Sequence, residues 1–201
     1  MSPKPVDYLL TGVGGQGATL AGDVLAHVGL AAGYWVKCSE IHGMSQRGGS
    51  VETHVRWGER IYSPTPADGE IDVLLAFEKA EALRSLPRVR RGALCVVDLR
   101  AIVPPSVTSG GSVYPSDETV LGRLRSFSDR VVVLDALSIA QALGDGRTSN
   151  VVLLGALSAA LGRYGLASIS EDTWMAVLKE RVPDRFVEAN LKAFHSGRAC
   201  L

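Results

Sequence analysis

The sequence predicts an α/β fold, a Rossmann-like domain with a mostly parallel sheet, and three observations lead there. Short apolar runs alternate along the chain with longer stretches of helical periodicity. The first run ends in a glycine cluster that opens straight into a helical stretch, the order of strand, tight turn and helix expected in a parallel sheet. The 201 residues, 46% of them hydrophobic, are enough to enclose a full core. No linker, internal repeat or low-complexity segment divides them, so residues 1–201 are expected to form a single domain.

Residues 6–11 (VDYLLT) read as the first strand, residues 16–32 as the helix after it, and residues 34–39 (YWVKCS) as a second strand, together a parallel βαβ unit. Residues 40–49 follow as a loop. Residues 50–57 (SVETHVRW) alternate Val51, Thr53, Val55 and Trp57 with Glu52, His54 and Arg56, the period of a strand with one buried and one polar face. That places His54 on the polar side, as a solvated or interface histidine. Gly58-Glu59 then joins residues 60–63 in a β-hairpin insertion, which puts an antiparallel strand into the sheet, and Pro64 and Pro66 end it. Strands over 72–77 and 93–98 flank a helix over 78–86, and a strand over 131–135 follows a helix over 117–127. The C-terminal segments are helical: 150–162, then 171–181 after the cap Ser170, then 184–195.

Composition excludes several functions. Lys and Arg number 21 against 21 Asp and Glu, and no basic cluster exists to displace counterions from a phosphate backbone, so nucleic acid is not expected as a partner. The longest nearly continuous apolar run, residues 151–162, falls short of the roughly 20 residues needed to span a bilayer. The N-terminal MSPKP lacks the layout of a signal peptide, and the cytoplasm is the expected compartment. Cys38, Cys95 and Cys200 are widely scattered, which suits reduced thiols. They supply neither the four thiolates of an iron-sulfur cluster nor a zinc-binding CxxC pair, so no metal site is expected on this chain.

Two segments carry candidate chemistry. Gly12-Val13-Gly14-Gly15-Gln16-Gly17 fits GxGxxG between a strand and a helix, where glycines permit a tight turn and helix N-terminal amides can meet an anion. Packing, a subunit contact and a bound nucleotide all remain open uses. The only candidate for the acidic ribose partner is Glu40, 28 residues past Gly12 instead of about 20. Ser45-Gln46-Arg47-Gly48-Gly49-Ser50 joins a guanidinium fork to glycine amides and hydroxyls, a set suited to a carboxylate or phosphate, with Glu40 and His42 in the same loop region. Arg47 and Gln46 are the candidates for a role in chemistry. Gly144-Asp145-Gly146 matches the start of the thiamine diphosphate and magnesium motif, but the asparagine that motif needs roughly 25 to 30 residues later is absent, and a helix-ending turn accounts for it better.

Several of these segments, taken together, resemble a known family. The glycine run 12–17, the stretch Lys37-Cys38-Ser39-Glu40-Ile41-His42-Gly43-Met44-Ser45-Gln46-Arg47-Gly48-Gly49-Ser50-Val51, His54-Val55-Arg56, Tyr62-Ser63-Pro64, Leu75-Ala76-Phe77-Glu78, Glu81-Ala82-Leu83-Arg84, Tyr114-Pro115 and the segment from Asn150 to Leu157 are similar, in order, to the gamma-type domain of 2-oxoacid:ferredoxin oxidoreductases. The resemblance implies a subunit that holds no redox centre of its own. A large partner subunit would carry thiamine diphosphate, Mg2+ and iron-sulfur clusters, coenzyme A would be a co-substrate, and ferredoxin would take electrons from the complex. It favours aryl 2-oxoacids such as indolepyruvate, and an apolar surface for the large subunit should follow. Asp145 and Asp98 depart from it, each standing where the family often has asparagine. The competing readings are a free-standing dinucleotide-binding oxidoreductase using Gly12, Gly14 and Gly17, and a scaffold subunit without active-site residues.

Overall fold

The computed structural model describes residues 5–42, 49–104, 107 and 113–201. Its strands are β1 (Val6–Val13), β2 (Trp35–His42), β3 (Ser50–Gly58), β4 (Ile71–Ala76), β5 (Val89–Asp98) and β6 (Val131–Leu134), joined in one sheet in the order β2-β3-β1-β4-β5-β6. The α-helices among the described residues are α1 (Ala18–Ala31), α2 (Lys79–Ser85), α3 (Asp117–Phe127), α4 (Ala136–Ala142), α5 (Ser149–Arg163), α6 (Glu171–Arg181) and α7 (Val187–Arg198).

The central stretches of β1, β4 and β5, residues 8–10, 73–76 and 93–97, are continuously apolar because both faces of the sheet are covered there. Tyr8, Leu10, Val73, Leu75, Leu94 and Val96 point into a core shared with α1 and α4 to α7. Their neighbours Leu9, Leu74, Ala76, Cys95 and Val97 point the other way, into a smaller core under α2 and α3. α1 leaves β1 toward the first face and α2 leaves β4 toward the second. The crevice between the ends of β1 and β4 is therefore the topological switch point, where open α/β sheets place their ligands.

β3 departs from the sequence reading in two ways. It lies antiparallel between β1 and β2, pairing Val13 with Ser50 on one side and His42 with Val51 on the other. The first two strands are thus parallel but not adjacent, unlike an ordinary βαβ pair. The hairpin partner also differs: residues 60–63 form no strand, and β3 pairs back on β2 across the connection at 43–49. Alternation alone leaves strand neighbours undetermined, which explains the difference.

His54 is buried, 4% exposed, rather than solvated. The polar face of β3 is covered by charged groups that pair over it: Arg56 with Asp7 at 2.7 Å, and Arg88 with Glu52. His54 lies within that layer with its Nδ1 unpartnered among the described residues, and burial pushes its pKa down. The helix α4 is an element the sequence reading lacked; Asp135, taken there as the last residue of a strand, is instead its cap, accepting from the Ser138 amide at 3.0 Å.

Candidate functional site

The glycine run forms the end of β1 and the turn into α1. Gly15 and Gly17 have φ of +99° and +78°, which L side chains rarely adopt. Gly12 is needed for space: a Cβ there would lie 2.8 Å from Gln16 Oε1 and 3.0 Å from Phe77 Cβ. Gln16 fills that space. Its Oε1 accepts from the Val13 amide at 2.7 Å and its Nε2 donates to the Phe77 carbonyl at 2.5 Å, so the side-chain amide straps the turn across the switch point to the end of β4. The Gln16 amide is thus engaged in the fold on both sides.

Two further ties hold the turn. The Gly14 amide donates to the Gly49 carbonyl at 2.9 Å, sewing the glycine run to the last residue of the 43–49 connection. Asn150 Nδ2, in the first turn of α5, donates to the Gly17 carbonyl at 3.3 Å, and a Cβ on Gly17 would sit 2.6 Å from that nitrogen. Three segments far apart in sequence therefore converge at the carboxyl edge of the sheet. Ser45, Gln46, Arg47 and Gly48 lie outside the described residues, as does the side chain of His42. Their flanks do not: β2 ends at His42 and β3 starts at Ser50, which pairs with Val13 beside the glycine run.

Glu40 is placed elsewhere. It pairs with Thr53 of β3, which in turn pairs with Leu10 of β1, so a whole strand separates it from the glycine turn. An acid serving a dinucleotide ribose would need to stand at the end of the strand next to β1, and β3 occupies that place. This removes the geometric support for the free-standing dinucleotide reading.

A cleft of about 550 Å3 opens beside the turn, a size suited to a small-molecule ligand. Gly15, Gln16, Gly17 and Leu20 form one wall, Leu137 and residues 145–150 another, and Val182, Pro183, Phe186 and Asn190 a third. The N-terminal ends of α1 and α5 both reach it, and neither carries a side-chain cap, whereas Glu78, Ser116, Asp135 and Ser170 cap α2, α3, α4 and α6. Arg100 lines the cleft with no hydrogen bond or ion pair to its guanidinium among the described residues. Arg147 pairs with Asp145 at 2.8 Å and lies 5.2 Å over the Phe186 ring; the same pair holds the Asp145 carboxyl down at about 2. A rim of amides and guanidinia over an apolar floor fits an anion that carries an apolar body. Sequence reasoning had passed over this cleft, although Asn150 opened one of the segments that carry the family resemblance.

Asp98 ends β5 behind this wall. Its Oδ1 accepts from the Ala136 and Arg100 amides at 3.2 and 3.3 Å, yet burial dominates and pushes its pKa up to about 6. Among the described residues no three His, Cys, Asp or Glu side chains converge to hold a metal ion, and the three cysteines are free. No helix there is long and apolar enough to cross a membrane.

Comparison with known proteins identifies the family. The family model described as pyruvate ferredoxin/flavodoxin oxidoreductase matches residues 7–200. Indolepyruvate oxidoreductase subunit IorB of Archaeoglobus fulgidus is 38% identical over 192 residues, covering 96% of this chain and 93% of that one. Among solved structures, the gamma subunit of a keto/oxoacid ferredoxin oxidoreductase from Geobacter sulfurreducens shares the fold, with a TM-score of 0.70, 24% identity and 97% of each chain covered. The 2-oxoglutarate:ferredoxin oxidoreductase of Magnetococcus marinus, with 2-oxoglutarate, coenzyme A and succinyl-CoA bound, aligns at a TM-score of 0.71 and 25% identity over 98% of this chain but only 31% of its own longer chain. A matching family model over nearly the whole length, and a full-length relative at this identity, place the chain in the pyruvate ferredoxin/flavodoxin oxidoreductase family.

Proposed function

We propose that this chain is the small, gamma-type subunit of a thiamine diphosphate-dependent 2-oxoacid:ferredoxin oxidoreductase. The complex converts a 2-oxoacid and coenzyme A to an acyl-CoA and CO2, releasing a proton and passing two electrons to oxidised ferredoxin. The observation that carries the reading is the convergence of the glycine turn, Gly49 before β3 and the start of α5 beside an arginine-lined cleft, on a chain of the pyruvate ferredoxin/flavodoxin oxidoreductase family. The IorB relatives favour indolepyruvate or another aryl 2-oxoacid as substrate. A relative structure that holds coenzyme A and a 2-oxoacid supports the co-substrate.

The residues of this chain do not fit the thiamine group or its metal: the Asp145 carboxylate is engaged by Arg147, and no ligand trio converges among the described residues. Those groups and the clusters belong to the large partner subunit, in a cytoplasmic complex. This chain's part is to complete the active assembly and orient anions. Arg47, with Gln46 and the amides of Gly48 and Gly49, holds a 2-oxoacid carboxylate or a coenzyme A phosphate, while Arg100 and the two helix starts present a second anion-binding wall.

The test is an anaerobic pull-down of the tagged chain from its native cells, with the eluate assayed for dye reduction that needs both 2-oxoacid and coenzyme A. Recovery of a brown, thiamine-containing larger subunit with that activity supports the reading; a colourless chain recovered alone without activity overturns it. In the assembled complex Arg47→Ala should lower kcat/KM by at least about tenfold, and unchanged kinetics would remove Arg47 from the site.

A further inference from the structure

We propose that β2 is a self-association edge: two copies of this chain pair β2 with β2, antiparallel, about a two-fold axis at Cys38, and so join two six-stranded sheets into one. This goes beyond the proposed function and does not depend on it.

β2 is the terminal strand of the sheet, and among the described residues nothing pairs with its outer side. Terminal strands are normally blunted by short length, bulges, proline or charge. β2 runs for eight residues in unbroken register with β3, from Trp35 opposite Gly58 to His42 opposite Val51, and contains no proline. It also carries two large apolar residues in the open, Trp35 at 60% and Ile41 at 46% exposure. Strand alternation puts both on one face with Lys37 and Ser39, while Val36, Cys38 and Glu40 share the other, on which Val36 packs against the larger core.

The sequence then selects the register. A two-fold axis perpendicular to the sheet keeps each face continuous, so opposed residues must come from the same face. With the axis at Cys38, Trp35 lies opposite Ile41 at both ends, Lys37 opposite Ser39, Val36 opposite Glu40, and Cys38 opposite its own copy. With the axis at Lys37, that lysine faces itself. With the axis at Ser39, Ile41 faces Lys37 and Trp35 falls beyond the end of the strand; at Glu40, the glutamate faces itself and Trp35 is again left over. Only the Cys38 register pairs both exposed apolar residues and opposes no like charges. A second copy is the occupant that this self-complementarity specifies.

The test uses the full chain, alone and with its large subunit. Cys200→Ser removes the other exposed thiol, while Cys95 stays, being buried with its thiol pushed up to about 12. Opposed residues of an antiparallel pair have Cα atoms about 4.5–5.5 Å apart, within the roughly 4.4–6.8 Å that a disulfide spans. Mild oxidation with copper phenanthroline, which takes the two electrons while the two protons go to solvent, should therefore link Cys38 to Cys38. Moving the thiol one place, Cys38→Ser with Ser39→Cys, should cut the yield by at least about tenfold, because residue 39 then faces residue 37. Trp35→Lys and Ile41→Lys, both at exposed positions, should each raise the dimer dissociation constant by at least about tenfold in sedimentation, with the circular dichroism spectrum unchanged. A monomer at high concentration, a heterodimer holding one copy of each subunit, equal linking through residues 38 and 39, or association indifferent to Trp35→Lys would each overturn the proposal.

Discussion

Asp98→Asn isolates the energetic consequence of a buried carboxyl beside the candidate site. The side chain is 2% exposed, and burial raises its pKa from 3.8 to about 6 despite two amide donors. At ~1.4 kcal/mol per pH unit, that difference corresponds to about 3 kcal/mol. Because the folded-state pKa lies above the unfolded one, the contribution of Asp98 is most favourable below pH 3.8 and is lost as pH rises through about 6. Asparagine keeps the oxygen that accepts from Ala136 and Arg100 but never ionises. The variant should therefore gain on the parent progressively between pH 4 and pH 7, by about 2.4 kcal/mol over that window. In urea unfolding, an m-value of about 2 kcal/mol/M turns this into a midpoint difference that widens by about 1.2 M across the window. A constant offset between the two proteins would reflect packing alone. A difference flat to within about 0.5 kcal/mol from pH 4 to pH 7 would refute the argument that Asp98 is buried at a cost.

Other substitutions probe the remaining supports. A Cβ on Gly155 would lie 2.1 Å from the Phe194 carbonyl oxygen, so Gly155→Ala should force α5 and α7 apart and cost at least about 3 kcal/mol, read as a large fall in melting temperature. Gln16→Ala strands the Val13 amide and the Phe77 carbonyl, and should destabilise by about 2–4 kcal/mol in urea titrations. Burial holds the His54 pKa below 6.5, so its contribution is present above pH 6.5 and lost as pH falls; His54→Gln should flatten the decline in stability between pH 7 and pH 5, and an unaltered slope would contradict this.

Elements with local signals were legible in the sequence, and those set by distant partners were not. The helix bounds 117–127 and 171–181 match α3 and α6 residue for residue, since Ser116 and Ser170 each cap through the amide three residues on. The position of β3 between β1 and β2 was invisible, because alternation fixes which side chains share a face and leaves the neighbouring strand open. The same limit governed His54: its alternation was read correctly, but Asp7 and Arg88, which roof over that face, come from distant segments. The glycine turn was legible as a motif. Its closure by Gln16 was not, since that needs Phe77, and the cleft needs walls from residues 15–20, 137, 145–150 and 182–190.

The insertion of β3 also constrains how the chain can be made. When the first 42 residues have been synthesised, β2 has no strand to pair with, because β3, its neighbour in the sheet among the described residues, has yet to appear. Nascent β1 and β2 must wait a strand's width apart until Ser50–Gly58 arrives to close the gap. The shortest N-terminal fragment in which β1 and β2 are joined therefore ends at Gly58; it leaves two strand flanks open, the outer side of β2 and the β4 side of β1, where a chain arrested before β3 leaves four.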